Sequence, residues 1–157
     1  MKTNFQQVVE AHASSMYRLA YSYCANRPDA EDAVQEVLIK YLQDPPRCEG
    51  TDQLRAWLMT ATANKCKDLL RSRRRRKTQP LAEARANTDV DDDALDVRAA
   101  VMQLPPGQRS VVYLFYYEDM TTKQIAKTLH LSETAVRSRL FQARKTLKTL
   151  LGGDANG

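Results

Sequence analysis

Residues 121–148, TTKQIAKTLHLSETAVRSRLFQARKTLK, have the spacing of two helices joined by a tight turn. Thr121, followed three residues later by Gln124, predicts a capping box at the start of the first helix. His130-Leu131 is predicted to form the turn, and Ser132 is predicted to cap the second helix. This helix-turn-helix pattern decides the fold of the C-terminal part of the chain.

The second helix of this stretch has an apolar side and a polar side. Its apolar residues recur at helical spacing and are predicted to face inward: Val136, Leu140, Ala143 and Leu147. A polar side that starts with short side chains and continues with cations suits the major groove of DNA, where it can meet base edges and phosphates. An ordinary surface hairpin with a solvated basic face is the alternative. The residues predicted to bind DNA are Ser132, Thr134, Arg137, Ser138, Arg139, Arg144 and Lys145.

The composition is that of a globular protein. Hydrophobic residues make up 43% of the 157 residues and charged residues 27%, a balance that excludes a disordered chain and suits one domain or two small ones. No apolar run is long enough to span a membrane, and no signal-like segment begins the sequence. The three cysteines are far apart, which predicts reduced thiols in a cytoplasmic protein. No cofactor is predicted, and the two histidines lack metal-ligand spacing with the cysteines.

Charge is distributed in blocks along the chain. Residues 65–77 carry eight basic side chains and one acidic one, and residues 120–151 carry seven basic and one acidic. Between them, residues 83–98 have six acids and two basic residues. Two basic blocks separated by an acidic one predict two contacts with a polyanion, joined by a segment that avoids it.

The N-terminal part is predicted to form helices. Apolar residues repeat at intervals of three and four over residues 4–24, and Asp29 is predicted to cap a second helix after the break at residues 26–28. The face opposite its apolar stripe holds an apolar residue among polar ones, which indicates either a partner surface or a solvated helix face. That face comprises Asp32, Gln35, Glu36, Ile39 and Lys40, and the predicted buried stripe comprises Ala30, Ala33, Val34, Val37, Leu38, Tyr41 and Leu42.

A polar loop over residues 43–53 leads into a third helix that is predicted to begin at Leu54 and to end in the basic run 71–77. The helix dipole explains one or two cations at a helix C-terminus. Repulsion among the remaining cations has to be offset, and phosphate groups are the natural partner. A solvated basic tail is the alternative.

The segment that follows has no periodicity. Residues 78–93 are acidic and predict a flexible tether, whereas residues 94–104 predict a short helix. The stretch SVVYLFYY, residues 110–117, has strong β propensity, but no second strand is available to pair with it. Residues 108–117 are therefore predicted to form a buried helix.

Three segments together resemble a known family: MYRLAYSYCANRPDAEDAVQEVLIKYL, LRAWLMTATANKCKDLLRSRRRR and LPPGQRSVVYLFYYEDMTTKQIAKTLHLSETAVRSRLFQARKTL. They are similar, in the same order, to bacterial extracytoplasmic-function (ECF) sigma factors of the sigma-70 family. The resemblance implies an all-α fold with two small helical domains on a flexible acidic linker. It assigns residues 1–77 to sigma region 2, 78–93 to the linker, 94–151 to sigma region 4 and 152–157 to a tail.

The same resemblance implies a sigma factor, and not an enzyme, that binds core RNA polymerase and promoter DNA, with an anti-sigma protein as a further candidate partner. The polymerase-binding positions are Asp32, Gln35 and Glu36, on the face that includes Ile39 and Lys40. The loop 43–53 corresponds to the part that captures a flipped base of the minus-ten element. The residues placed for that melted strand are Asn64, Lys65, Lys67, Arg71, Arg73, Arg74, Arg75 and Arg76. Residues 132–145 correspond to the part that contacts the minus-thirty-five duplex.

Departures from the family pattern concern base preference. Leu38 stands where the family often has Phe, and the loop 43–53 lacks the common Asp-x-Phe-x-Gly pattern. Glu133 stands where a Gly is common, and it is predicted to cap the helix dipole in preference to accepting from a cytosine. Two other functions are alternatives: a DNA-binding regulator that does not use polymerase, and an enzyme. No carboxylate pair, Gly-rich phosphate loop or Cys/His cluster supports an enzyme.

Overall fold

The structure is a computed structural model that describes residues 5–76 and 92–152, with backbone alone for residues 74–76 and 92–96. The chain forms two compact units, which divide at residues 81 and 82. The described residues are helical with short connections and contain no strand, as the all-α prediction required. Most of the predicted linker and all of the predicted tail after Gly152 lie outside the described residues.

The first unit is a bundle of three helices, in which each helix packs on the other two. The helices are α1 (Phe5–Cys24), α2 (Arg27–Gln43) and α3 (Thr51–Arg76). Its core is built from apolar side chains of all three helices, among them Met16, Leu19, Ala33, Leu58 and Met59. Each large side chain of this kind contributes roughly 1.5–3 kcal/mol when it is fully buried. The predicted inward stripe of α1 is therefore confirmed.

The start of α2 differs from the prediction. Asn26, and not Asp29, is the N-cap, and its side-chain oxygen accepts a hydrogen bond of 2.9 Å from the Asp29 backbone N–H. Pro28 lies in the first turn of α2. Because the first N–H groups of a helix have no intrahelical partner, a proline is accepted there.

Two further expectations for this unit are wrong. Leu42, predicted to lie in the buried stripe of α2, is 55% exposed, because the helix ends one residue later at Gln43. The third helix begins at Thr51 instead of Leu54, so the connecting loop is shorter than predicted and covers residues 44–50. Gly50, at the end of that loop, has a φ of 104°, which only glycine adopts readily.

The second unit comprises α4 (Asp92–Met102), α5 (Pro106–Val112), a π-helical turn (Tyr113–Tyr117), α6 (Thr122–Leu129) and α7 (Glu133–Leu150). Helix α7 packs against α4, α5 and α6. The stretch with high β propensity is helical, as predicted, because it packs inside a helical unit where no strand could pair with it. It is not buried throughout, since Tyr116 and Tyr117 are exposed.

A buried arginine joins α4 to α5. Arg109 donates from Nη1 to the carbonyl oxygen of Met102 (3.3 Å), the last residue of α4, and to that of Leu104 (2.9 Å), two residues further on. Carbonyl groups at a helix C-terminus lack intrahelical donors and carry partial negative charge, so a cation there is stabilised. This contact fixes the position of α5 relative to the end of α4, and α7 packs against α5.

Candidate nucleic-acid interface

The helix-turn-helix has the predicted caps and turn. Thr121 Oγ1 accepts from the Gln124 backbone N–H at 3.0 Å, and Gln124 Oε1 accepts from the Thr121 N–H at 2.9 Å, which completes the capping box. His130 adopts a left-handed conformation, with φ of 59°, in the turn between the helices. Ser132 Oγ then accepts from the Ala135 N–H at 3.0 Å and caps α7.

Helix α7 presents one polar face to solvent. Val136, Leu140 and Ala143 are buried and Leu147 is half-buried, so the predicted inward side is confirmed. Six of the seven side chains predicted for DNA are exposed on the other side, and the short polar groups lie nearest the start of the helix. Those six are Ser132, Thr134, Arg137, Ser138, Arg144 and Lys145.

Arg139 is placed differently from the other six. Its side chain is half-buried and its guanidinium lies over the start of α5. A Cβ atom at Gly107 would come within 2.6 Å of Arg139 Nη1, so the absence of a side chain at Gly107 admits the arginine. The structure therefore turns Arg139 toward α5 and away from the shared exposed face.

Two of the exposed arginines are held by neighbouring side chains. Arg144 donates from Nε to the Tyr116 hydroxyl at 2.8 Å, and its guanidinium lies 5.6 Å from the Phe115 ring centroid and 5.7 Å from that of Tyr116. Arg137 lies 3.3 Å from the carboxylate of Glu133, one turn earlier on α7. Both guanidinium groups are thus oriented before any ligand binds.

Phe141 is an exposed aromatic residue that was not among the predicted DNA contacts. Its ring is 60% exposed in the middle of α7, and the Lys145 ammonium lies 5.9 Å from its centroid. Phe141 follows Arg137 by four residues, so the two share a face of the helix. An apolar residue in a polar stripe was the signal that singled out Ile39, and the same signal applied to α7 would have found Phe141.

The C-terminal half of α3 carries the second group of predicted DNA-binding residues. Asn64 is exposed, and Lys65 and Lys67 are half-buried. Two arginines are paired with carboxylates of the same unit: Arg71 lies 3.1 Å from Asp68, and Arg73 is hydrogen-bonded to Asp29. The side chains of residues 74–76 lie outside the described part of the chain.

The predicted polymerase-binding residues form an exposed face on α2. Asp32, Gln35, Glu36 and Lys40 are exposed there, and Ile39, which is 52% exposed, lies among them. No other isoleucine in the chain is exposed, because the only other one, Ile125, is fully buried. The face therefore combines charge with an unburied apolar side chain, as the sequence predicted.

A groove of about 370 Å³ separates α2 from α3 and joins the two predicted surfaces of this unit. Glu36 and Lys40 line one side, and Trp57, Asn64 and Lys65 line the other. Lys65 Nζ lies 2.6 Å from Glu36 Oε1, and this hydrogen bond is the main cause of a raised pKa for the lysine. The ammonium group is therefore charged at any physiological pH.

The thiols and histidines do not form a metal centre. All three cysteines are free; Cys24 and Cys66 are buried, and Cys48 is half-buried. The described residues hold no group of three or more His, Cys, Asp or Glu side chains placed to bind a metal ion. Among the described helices, none is both long and apolar enough to cross a membrane.

Each of the two units matches the model of a known protein family. The family model for sigma-70 region 2 matches residues 8–76, and the model for sigma-70, region 4 matches residues 94–147. The ECF RNA polymerase sigma factor SigL of Mycobacterium tuberculosis is 33% identical over 151 residues, which cover 90% of this chain and 85% of SigL. SigE of Mycolicibacterium smegmatis is 31% identical over 160 residues; the match covers 94% of this chain and 62% of the length of SigE.

Solved structures agree with these matches. The sigma factor RpoE of Bartonella quintana, solved with the anti-sigma factor NepR, superposes with a TM-score of 0.78 and 25% identity over 96% of this chain and 98% of RpoE. CnrH, solved with the cytosolic domain of CnrY, superposes with a TM-score of 0.64 and 28% identity over 96% of this chain and 88% of CnrH. The chain therefore belongs to the ECF RNA polymerase sigma factors of the sigma-70 family, which are transcription initiation factors and not enzymes.

Proposed function

We propose that this chain binds core RNA polymerase through α2 and directs it to promoters through two DNA contacts, one in each unit. The observation that carries the proposal is the combination of a basic surface on α3, a basic surface on α7 and an acidic-apolar face on α2. Each unit is small, so neither is expected to hold DNA tightly alone. Polymerase supplies the fixed spacing that allows both units to bind one promoter together.

The α2 face is the proposed polymerase contact. Asp32, Gln35 and Glu36 offer carboxylate and amide groups to a basic partner, and Ile39 offers apolar area that water would otherwise cover. Transient interfaces commonly combine a small apolar centre with a polar rim. The exposure of these four residues on one helix supports their joint use.

The α3 surface is the proposed contact with the melted minus-ten strand. Lys65, Lys67 and Arg71 are the cations proposed to bind its phosphates, and Asn64, whose side chain is exposed, is proposed to contact the same strand. The groove between α2 and α3 has room for an unstacked base next to Trp57. The backbone of α3 extends to Arg76, and the arginines at 73–76 are proposed to bind the phosphates of the same strand.

Helix α7 is the proposed contact with the minus-thirty-five duplex. Ser132, Thr134 and Ser138 are short polar groups at its N-terminal end, which is the end that enters the major groove in helix-turn-helix proteins. Arg137 can donate two hydrogen bonds to a guanine, and the exposed ring of Phe141 can contact a thymine methyl group. Arg144 and Lys145, farther along the helix, serve phosphates.

An anti-sigma protein is a further proposed partner. RpoE of Bartonella quintana was solved with the anti-sigma factor NepR, and CnrH with the cytosolic domain of CnrY. The present chain resembles both over nearly its whole length, and its exposed Ile39 and Leu42 offer apolar area that a helix of such a partner can cover. The proposed place of action is the cytoplasm, where RNA polymerase is found.

Transcription start-site mapping tests the proposal. The purified full chain is added to bacterial core RNA polymerase with fragmented genomic DNA, and transcripts are compared with those of core polymerase alone. The expected result is a set of new start sites preceded by two shared sequence elements at constant spacing. If the chain adds no transcripts, or adds transcripts whose upstream sequences share nothing, the proposal fails.

A further inference from the structure

Thr122, Glu133 and Arg137 form a chain of contacts across the turn between α6 and α7. The Thr122 hydroxyl donates to Glu133 Oε2 at 2.8 Å, and Arg137 Nη2 lies 3.3 Å from the same oxygen. The Glu133 side chain is 38% exposed and that of Arg137 is 58% exposed. One carboxylate oxygen therefore links the first turn of α6 to a cation on the exposed face of α7.

The contact restricts a flexible side chain. A free arginine samples many rotamers, and that freedom is lost when it binds a base edge. The Glu133 oxygen lies beside Nη2 of the planar guanidinium group, which has five N–H donors, more than one carboxylate can accept, so donors remain for a ligand. Arg137 is thus held in one place while keeping the donors that a bidentate contact with guanine needs.

Helix capping alone does not explain why a carboxylate is present at position 133 in this basic segment. It is the only acidic residue between positions 120 and 151. It lies on the helix proposed to contact DNA, whose phosphates repel a carboxylate. A favourable interaction with the dipole of α7 requires a negative charge in the first turn but no specific partner. The hydrogen bond from Thr122, which belongs to a different helix, fixes the carboxylate in a specific position instead.

We propose that Glu133 is a positioning residue, which Thr122 fixes and which orients Arg137 toward one base pair of the minus-thirty-five element. The proposal rests on the function proposed above, in which α7 contacts that element. Glu133 then acts on promoter selectivity, while the base contact itself belongs to Arg137.

The test uses the full chain with core polymerase on a promoter library with a randomised minus-thirty-five element and a constant minus-ten element. Arg137→Ala identifies the base pair that Arg137 contacts, because the preference there is lost. Glu133→Asp keeps the charge at the start of α7 but shortens its reach, and Thr122→Val removes the hydroxyl. Both are expected to lower the preference at that same base pair by about threefold to tenfold, a part of what a bidentate arginine contributes.

Two controls separate positioning from charge and from folding. Asp119→Asn removes another carboxylate of this unit at a position with φ of 54°, which asparagine tolerates, and should keep the wild-type preference at every base pair. Thr122→Ser retains the hydroxyl and should also keep it. Thermal unfolding of each variant shows whether the second unit is intact.

The outcomes are distinct. If Glu133→Asp and Thr122→Val both keep the wild-type preferences, Glu133 serves the helix dipole alone and the proposal is overturned. It is equally overturned if Glu133→Asp changes the preference at a different base pair, since Glu133 would then contact a base itself. If Arg137→Ala changes no preference while polymerase-dependent transcription persists, Arg137 contacts no base. The positioning role of Glu133 is then overturned as well, but the proposed function as a sigma factor is not.

Discussion

The ammonium group of Lys65 lies 2.6 Å from the carboxylate of Glu36, so a cation proposed to hold promoter DNA is paired with a carboxylate proposed to contact polymerase. The two residues belong to different helices, α3 and α2, and face each other across the groove between them. Their side chains are partly exposed, and exposed ion pairs contribute little to stability. The pair can therefore be altered without loss of the fold, which allows function to be measured separately.

Lys65→Gln and Glu36→Gln remove the same ion pair but only the first removes the cation. Each is expected to lower the free energy of unfolding of the first unit by less than about 1 kcal/mol. In a preassembled complex with polymerase, Lys65→Gln should slow promoter opening because a phosphate loses its partner, whereas Glu36→Gln should not. Promoter opening can be followed by the fluorescence of a base analogue in the minus-ten element; equal rates for both variants would contradict the proposed role of Lys65.

The capping box of α6 gives a prediction on stability. Thr121→Ala removes the acceptor for the Gln124 N–H and should lower the free energy of unfolding of the second unit by about 1 kcal/mol. Thr121→Ser keeps the hydroxyl and serves as the control. Hydrogen exchange of the α6 amides reports the change in this unit alone, and equal protection in Thr121→Ala and Thr121→Ser would show that the cap contributes nothing.

Because of His12, we expect the free energy of unfolding of the first unit to depend on pH. Burial, and secondarily the charge of Arg55, lower the pKa of His12 below its ordinary value near 6.5. Below that pH the unfolded chain takes up a proton that the folded chain resists, so stability is present above about pH 6.5 and is lost as pH falls toward the folded pKa. The free energy of unfolding, followed by fluorescence of Trp57, should therefore decrease on acidification.

The matched variants identify His12 as the cause. His12→Gln should show a smaller decrease, because the titrating group is gone. His130→Asn removes the exposed imidazole of the other unit and should keep the wild-type dependence. If His12→Gln and the wild type lose stability equally on acidification, another group is responsible.

The cysteines should differ in reactivity. The thiolate is the reactive form of cysteine, and a hydrogen bond with Cys24, together with burial, raises the pKa of Cys66. Cys48 is half-buried in the loop that precedes α3. Iodoacetamide should therefore label Cys48 first in the native protein, and Cys48→Ser should abolish the fast labelling that mass spectrometry detects. Rapid labelling of Cys66 in the native protein would contradict this prediction.

Local signals account for most of what the sequence predicted correctly. The caps at Thr121 and Ser132 involve partners three residues away, and the buried stripe of α7 repeats at helical spacing. Such features are visible in a short window of sequence. The N-cap of α2 was predicted wrongly for a local reason as well. Asn26 and Asp29 are both good capping residues, and Pro28 is accepted in the first turn.

Contacts between distant residues could not be predicted. Arg144 lies 28 residues from Tyr116, and Lys65 is 29 residues from Glu36, so periodicity within one helix reveals neither contact. The orientation of Arg139 depends on the packing of α5 against α7, which spacing along α7 does not determine. The sequence thus predicted which helices carry the candidate site, while the pairing of its side chains required the packed structure.

Binding to core RNA polymerase tests the central claim most directly. The full chain is titrated onto immobilised core polymerase beside Asp32→Ala with Gln35→Ala, and beside Gln6→Ala with Glu10→Ala, a control that alters exposed residues of α1. We expect the wild type and the α1 variant to bind equally and the α2 variant to bind at least about tenfold more weakly, because the loss of two polar contacts from an interface costs more than 1.4 kcal/mol. Failure of the wild-type chain to bind core polymerase, or equal binding by all three proteins, would contradict the account.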